Sequence, residues 1–204
     1  MGLPVLASTD ALVIRQQKEM TEVFTNIETQ NRYEVSSSTG EAMYYVAEQS
    51  EGAMAFLARN FLKNKRPFTM SVLGIGDRGE LTLRRPWRWF FSTLLVHDQS
   101  GALLGTIQQR FAFFARRFTV YGSGGEELAE LHGPFFRPWT FRIMVGGQEA
   151  GKITKEWSGM LKEAFTDADT FGVQYGPGMD ARLRTLAMAA TFLIDFLYFE
   201  DTGN

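Results

Sequence analysis

Apolar and polar residues alternate along most of the chain in short segments, joined in pairs by glycine-containing turns. In the last pair, Phe141, Ile143 and Val145 recur with the period of two that a half-buried strand shows. Each turn has a glycine where the backbone must take a positive φ. The pattern predicts five β-hairpins, whose sequences are RYEVSSSTGEAMYYVAE, FTMSVLGIGDRGELTLR, STLLVHDQSGALLGTIQ, RFTVYGSGGEELAEL and TFRIMVGGQEAGKIT.

Two further strands are predicted outside the hairpins, near Leu12 to Arg15 and near Phe171 to Tyr175. Together with the hairpins they give about twelve strands, at the spacing that all-β proteins show. Between the first two hairpins, residues 52–64 repeat apolar side chains at helical spacing, which predicts one short helix there.

The C-terminal segment from Leu186 to Phe199, LAMAATFLIDFLYF, is apolar on every face. Such a segment is a helix buried in a domain, a membrane span or an interfacial helix. It is shorter than the roughly 18 apolar residues expected of a span, and Asp195 interrupts it. These two features favour the buried helix, and the other two interpretations stay open.

The strand count and the apolar helix fit each other. About eight strands enclose only their own side chains, whereas a larger barrel has an internal space that needs filling. A helix with its side chains is about 10 to 12 Å across. We therefore predict a closed or nearly closed antiparallel barrel around the C-terminal helix, with a polar partner for Asp195 inside. No linker is visible, so we assign residues 1–204 to a single domain and allow for disorder in about the first ten.

Composition narrows the class of protein. The chain is 45% hydrophobic and 14% aromatic, which excludes a disordered protein. The formal net charge of −2 argues against a dedicated nucleic-acid binder, and the absence of cysteine excludes disulfides and thiol chemistry. The 18 phenylalanines require a thick core, a ligand cavity or an apolar contact surface.

No catalytic motif is recognisable, so we assign no catalytic residues and predict that the protein is not an enzyme. The segment GIGDRG has the G-x-G-x-x-G spacing of dinucleotide sites. A strand pattern follows it, however, where a dinucleotide site needs a helix N-terminus, so the segment is interpreted as a hairpin turn. Neither an H-E-x-x-H zinc motif nor a G-x-S-x-G elbow is present.

Arginine and aromatic residues alternate in RRPWRWFF, which contains Arg84, Arg85 and Arg88, and a second cluster places Arg116 and Arg117 after FAFF. Arginine beside tryptophan suits a surface that contacts phospholipid headgroups. The same pattern is typical of a barrel rim with alternate residues facing in and out, and it also fits stacking of single-stranded bases. We take these five arginines as candidate lipid-binding residues.

The segment DADTFG, residues 167–172, partly matches a calcium-binding loop, with Asp167 and Asp169 at its first and third positions. At the twelfth position, where such loops have a bidentate acid, stands Gly178, and the nearest later acid is Asp180. The alternative is an acidic turn that leads into a strand. Any calcium site here would lack charge and bind weakly.

Four longer segments carry a family resemblance: VIRQQKEMTEVFTNIETQNRYEV, RPFTMSV, GKITKEWSGMLKEAFTDADTFGVQYG and FLIDFLYFE. In this order they closely resemble the phospholipid scramblase family. The resemblance implies a tubby-like fold, in which a twelve-stranded barrel surrounds a hydrophobic C-terminal helix. It also implies association with phospholipid membranes and a calcium-stimulated, ATP-independent movement of phospholipids between leaflets in both directions.

The resemblance further implies a set of calcium ligands, in which Phe171, Val173 and Tyr175 contribute mainly backbone carbonyls. The full candidate set is Asp167, Asp169, Phe171, Val173, Tyr175 and Asp180. Because Gly178 replaces the acid that ends the family's pattern, we expect weak binding, and calcium is the one candidate cofactor.

The leading hypothesis is a phospholipid-interacting protein that contacts anionic membranes and moves lipids without breaking a bond. The alternative is a tubby-like module that binds phosphoinositides or a protein and transports nothing. The expected location is the cytoplasmic face of a membrane, as a peripheral protein, or the cytoplasm, with a single C-terminal span left open.

Overall fold

A computed structural model describes residues 2–17, 31–49, 66–75, 79–137, 139–155 and 170–199, and the structural statements below refer to these ranges. They contain one α-helix, α1 (Ala181–Tyr198), and twelve strands. The strands are β1 (Ala11–Gln16), β2 (Arg32–Ser37), β3 (Ala42–Glu48), β4 (Phe68–Gly74), β5 (Gly79–Arg85), β6 (Thr93–Asp98), β7 (Leu103–Arg110), β8 (Ala115–Gly122), β9 (Glu127–Pro134), β10 (Thr140–Val145), β11 (Gln148–Thr154) and β12 (Thr170–Tyr175). The five predicted hairpins are confirmed. The short helix predicted for residues 52–64 lies outside the described residues.

The twelve strands form one closed antiparallel barrel, as predicted. Each strand pairs with its neighbours in sequence, and β1 pairs with both β2 and β12 to close the ring. Leu12, for example, lies opposite Ser37 on one side and Val173 on the other. Closure leaves no unpaired sheet edge among these strands.

The connections divide the barrel into two different ends. The turns within the five hairpins all lie at one end, which we call the hairpin end. Glycines with positive φ stand in four of these turns, as the sequence predicted: Gly40, Gly101, Gly125 and the pair Gly146 and Gly147. The described connections between successive hairpins, β5–β6, β7–β8 and β9–β10, lie at the other end, the loop end, together with the C-terminus of α1.

Helix α1 fills the barrel, and the buried-helix interpretation is confirmed. All residues from Leu183 to Phe196 are buried. The helix begins at Ala181, five residues before the predicted start, because the side chain of Asp180 caps it by accepting a hydrogen bond from the Leu183 amide at 2.7 Å. No helix in the described ranges combines the length and apolar character of a candidate membrane span.

Asp195, the acidic residue of the buried part of α1, has a polar partner on the barrel wall. Asp195 is 5% exposed, and its Oδ2 accepts a hydrogen bond of 2.7 Å from the hydroxyl of Tyr33 on β2. The Tyr33 ring also meets Phe192 edge-on, with centroids 5.1 Å apart. One tyrosine therefore both packs against the helix and donates a hydrogen bond to its buried carboxyl group.

The N-terminal residues lie against the start of α1. A 3₁₀ turn, Pro4–Ser8, buries Leu6 completely. The amide of Leu3 donates to Thr185 Oγ1 at 2.9 Å, and Arg184 donates to the carbonyl of Thr9 at 2.7 Å. This segment, for which the sequence allowed disorder, covers the helix at the hairpin end.

The bond between Tyr33 and Asp195 can be tested by a double-mutant cycle. Tyr33→Phe removes one partner of a buried carboxylate, so it should lower the free energy of unfolding by about 1 to 3 kcal/mol. Asp195→Asn should then destabilise the Tyr33→Phe variant less than it destabilises the wild type. Urea unfolding of all four proteins measures both effects. Strictly additive changes would mean that the two groups are not coupled.

Candidate functional site

Large aromatic side chains are exposed at the loop end. Of the thirteen exposed large hydrophobic residues in the described part of the chain, ten are aromatic and lie in the three connections β5–β6, β7–β8 and β9–β10. We call these ten the aromatic rim: Trp87, Trp89, Phe90, Phe91, Phe111, Phe113, Phe114, Phe135, Phe136 and Trp139. Exposed apolar patches of this kind mark surfaces that bind a partner or a membrane.

The rings of the rim touch each other within and between loops. Trp87 and Trp89 have ring centroids 4.7 Å apart. Phe111 lies 6.5 Å from Phe91 of the preceding loop and 4.9 Å from Phe113 of its own. The rim is therefore a contiguous surface across at least two loops. The ring of Phe113 is still 83% exposed.

The loops are fixed at their bases by hydrogen bonds. The amide of Gln109 donates to the carbonyl of Ser92 at 2.8 Å, and the Ser92 amide donates to Gln109 Oε1 at 3.1 Å. In the third loop, the Arg137 amide donates to Pro134 O and the Thr140 amide to Arg137 O. The barrel thus holds the aromatic tips on anchored stems.

Beneath the rim, cationic side chains surround the C-terminus of α1. Arg66 and Arg85 each place their guanidinium carbon 4.7 Å from the Phe196 ring centroid. Arg116 lies 4.3 Å from the ring of Tyr198, and Lys155 Nζ lies 4.4 Å from that of Phe199. The four form what we call the cation ring: Arg66, Arg85, Arg116 and Lys155. Cations over aromatic faces, next to the partly negative end of a helix, stabilise both.

Two members of the cation ring, Arg66 and Arg85, have polar partners at the barrel wall. Arg66 forms an ion pair with Glu48, whose other oxygen accepts from Asn31 at 2.9 Å. Arg85 donates to the carbonyl of Arg66 and to Ser92 Oγ.

The phenol of Tyr198 lies within this polar layer. Burial raises the pKa of Tyr198, and the Arg116 guanidinium and a hydrogen bond from Gln109 partly oppose that rise. The phenol therefore stays neutral at physiological pH.

The structure separates the five arginines proposed to bind lipid. Arg84, Arg88 and Arg117 are exposed at or near the loop end. Arg85 is 3% exposed and Arg116 lies over the Tyr198 ring, so both side chains lie on the inner side of the wall, and lipid binding by these two residues stays a prediction. The separation arises from the pleat of a strand, which directs successive side chains to opposite faces. Each Arg-Arg pair on a strand supplies one cation to each side of the wall.

The described members of the calcium set have other roles in this structure. Phe171, Val173 and Tyr175 are buried in β12, between β1 and β11. The Tyr175 amide donates to Asp10 O. Phe171, Val173 and Tyr175 alternate along β12, so their backbone N–H and C=O groups point toward β1 and take part in the hydrogen bonds between these two strands. Asp180 caps α1. Asp167 and Asp169 lie outside the described residues, and calcium binding stays a prediction.

The third loop of the rim is the part that sequence reasoning missed. Its residues Phe135, Phe136 and Trp139 lie between two predicted hairpins. In a closed barrel built of consecutive hairpins, the connections from one hairpin to the next lie at the same end as RRPWRWFF. The hairpin count in the sequence therefore predicts that the three aromatic loops lie at one end of the barrel.

Comparison with known proteins identifies the family of the chain. A family model described as Scramblase matches residues 1–201. Phospholipid scramblase 1 of Mus musculus is 33% identical over 217 residues, which cover 100% of this chain and 65% of that protein. Phospholipid scramblase 2 of Bos taurus is 32% identical, over 98% of this chain and 72% of its own length. The chain thus spans slightly less than two thirds of the first relative. Because the family match extends over nearly all of its residues, the chain belongs to the scramblase family.

Proposed function

We propose that this protein binds phospholipid membranes through the aromatic rim and moves phospholipids between the leaflets. The names of its relatives, which are phospholipid scramblases, support this proposal. The observation that carries the proposal is the gathering of ten exposed aromatic side chains at one end of the barrel. Tryptophan and other aromatic rings settle at the membrane–water interface, where the ring is partly dehydrated.

Charge around the rim supports the same partner. Arg84, Arg88, Arg117 and Arg137 are exposed at or near the three loops. A basic residue next to an anionic leaflet contributes about 1 kcal/mol, an effect that fades within about 8 to 10 Å. Anionic lipids are concentrated in the cytoplasmic leaflet. We therefore place the protein at the cytoplasmic face, as a peripheral protein.

Lipid movement in this proposal takes place outside the barrel. Helix α1 occupies the interior, and its residues from Leu183 to Phe196 are buried, so the interior offers no path for a lipid. Aromatic loops that enter the interface would instead disturb lipid packing locally and lower the barrier to headgroup crossing. Such a process breaks no bond and needs neither a catalytic group nor ATP, and it acts in both directions.

The proposal is tested with the full chain and liposomes that carry a fluorescent phospholipid in both leaflets. A membrane-impermeant reductant quenches only the outer leaflet, so transport appears as quenching beyond the outer-leaflet fraction. We expect transport without ATP. Vesicle binding without transport would instead favour the alternative function, a binding module for phosphoinositides or a protein. Absence of vesicle binding would reject the proposal.

The role of the rim can be tested with matched triple variants. Phe90→Ser, Phe113→Ser and Phe136→Ser together remove exposed rings from all three loops. The control is Val5→Ser, Ile75→Ser and Leu103→Ser, which removes the three exposed large apolar side chains that the described residues carry outside the rim.

The rim variant should bind phosphatidylcholine vesicles about 10- to 100-fold more weakly, because each ring would lose part of its burial in the interface. The control should bind as the wild type does. Vesicle sedimentation measures both. Equal losses in the two variants would show that the rim has no special role.

We propose that any modulation by calcium rests on weak calcium binding. Calcium takes six to eight oxygen ligands, and Gly178 offers only a carbonyl where a bidentate acid is usual. With Asp180 engaged as a helix cap, we expect a dissociation constant of about 10⁻⁴ to 10⁻³ M or no binding. Isothermal titration calorimetry on the wild type and on Asp167→Ala decides the matter. Micromolar affinity that is lost in Asp167→Ala would contradict this expectation.

A further inference from the structure

Strand register places a basic residue on each of five consecutive strands, all in one cross-strand row. Arg110 on β7 lies opposite Arg117 on β8, which lies opposite His132 on β9. His132 in turn lies opposite Arg142 on β10, and Arg142 opposite Lys152 on β11. We call these five residues the basic row. With neighbouring strands about 4.8 Å apart, the row is about 19 Å long.

The row faces outward from the barrel. Phe118, Leu131 and Phe141 each stand next to a member of the row along a strand, and they are at most 1% exposed and lie in the core. Successive side chains on a strand point to opposite faces, so the row lies on the outer wall. Its three arginines are exposed, and His132 and Lys152 are partly exposed.

The row runs parallel to the loop end. Arg110 is the last residue of its strand, and the other four members stand two residues from the loop-end termini of theirs. At about 3.3 Å per residue, the row therefore lies within about 7 Å of the stems of the second and third aromatic loops. A flexible arginine or lysine side chain spans much of that distance.

The row concentrates positive charge that other described residues neutralise only in part. Like charges directly opposite on neighbouring strands are destabilising, as in the pair Arg110 and Arg117. The nearest acids on the same face are Glu130, which is hydrogen-bonded to His132 at 2.7 Å, and Glu149 in the adjacent cross-strand row. Four full positive charges thus stand against two acids, in a chain whose net charge is −2. An anionic partner would relieve the repulsion.

We propose that the basic row binds the headgroups of anionic phospholipids, so that the barrel rests on an anionic leaflet with its β7–β11 wall tilted toward the membrane. The inference deepens the proposed function and rests on it, because the aromatic rim supplies the adjoining contact. The basic row runs parallel to the aromatic rim. This arrangement fits a membrane leaflet, in which an apolar layer lies beneath a layer of charged headgroups. Single-stranded nucleic acid is the competing partner, and the experiment below separates the two.

The first test compares vesicle binding by three triple variants of the full chain. Arg110→Gln, Arg117→Gln and Arg142→Gln together remove three charges from the row. The same three positions changed to Lys retain the charge. A third variant, Ser38→Glu, Gln99→Glu and Gln148→Glu, lowers the net charge equally at exposed positions of the hairpin end.

Each basic residue is worth about fivefold in partitioning onto an anionic surface, so the Gln variant should bind phosphatidylserine-containing vesicles about 100-fold more weakly. On pure phosphatidylcholine it should bind as the wild type does. The Lys variant should stay within about threefold of the wild type on both. The hairpin-end variant should lose much less than the Gln variant.

Two outcomes overturn the proposal while leaving the proposed function intact. One is equal loss in the Gln and hairpin-end variants, with wild-type binding to vesicles preserved. The other is loss of binding to a single-stranded oligonucleotide in the Gln variant with unchanged vesicle binding, which would assign the row to nucleic acid. If the wild type binds no vesicle at all, the proposed function itself fails.

The tilt can be measured separately by spin labelling. The chain contains no cysteine, so one introduced cysteine gives a protein with a single label. Strands β10 and β4 lie on opposite walls of the ring. A spin label at Met144→Cys, next to the row, should lose contact with an aqueous relaxation agent on phosphatidylserine vesicles. A label at Ser71→Cys on β4 should keep that contact. Equal accessibility at the two sites would show an upright barrel and overturn the tilt.

Discussion

A ring of twelve strands encloses more space than its own inward side chains fill, and helix α1 is what fills it. This requirement explains why the helix is apolar on all sides and why a single Asp195 in it needs Tyr33. It also gives the barrel a direction, because a helix along the interior has ends of opposite partial charge. At the hairpin end, Asp180 accepts a hydrogen bond from an amide of the first turn. At the loop end, the cation ring lies over the aromatic side chains of the last turn and the C-cap.

The two ends of the barrel differ in chemistry because different kinds of connection between strands lie at each end. Within hairpins the turns are short, and glycines with positive φ stand in four of them. The connections between hairpins carry the aromatic rim on stems that are hydrogen-bonded to the wall. Binding residues in proteins commonly stand on loops that a rigid scaffold positions. Here the scaffold brings three loops from separate hairpins to one surface.

Sequence predicted the features that depend on local periodicity. The hairpins, the apolar helix and the need for a partner at Asp195 all follow from patterns within a few residues. The start of the helix was missed because its first turn, ARLRT, is polar. Its arginines bond to segments at the hairpin end, Arg184 to Thr9 O and Arg182 to Ser123 Oγ at 3.1 Å. Local helical spacing gives no signal for such contacts.

Features that depend on pairing between strands could not be predicted from the sequence. The pleat alone separates Arg84 from Arg85, but the position of Arg85 over Phe196 depends on where the helix lies inside the closed ring. The basic row depends on a register that joins Arg110 to Lys152 through five strands, and a shift by one residue would turn any member inward. Within the calcium set, Phe171, Val173 and Tyr175 followed from resemblance alone, and their backbone groups take part in the ladder with β1.

The pairing of β1 with β12 also has a consequence for folding. Leu12 meets Val173, so the ladder that closes the ring joins positions about 160 residues apart. Non-local pairing of this kind makes folding slow, because a long loop must close before the contacts form. During synthesis, β1 and its neighbours emerge well before β12 and the helix that fills them. A nascent chain would therefore expose an open sheet with apolar inner residues and unpaired edges, the state in which β-proteins aggregate and chaperones act.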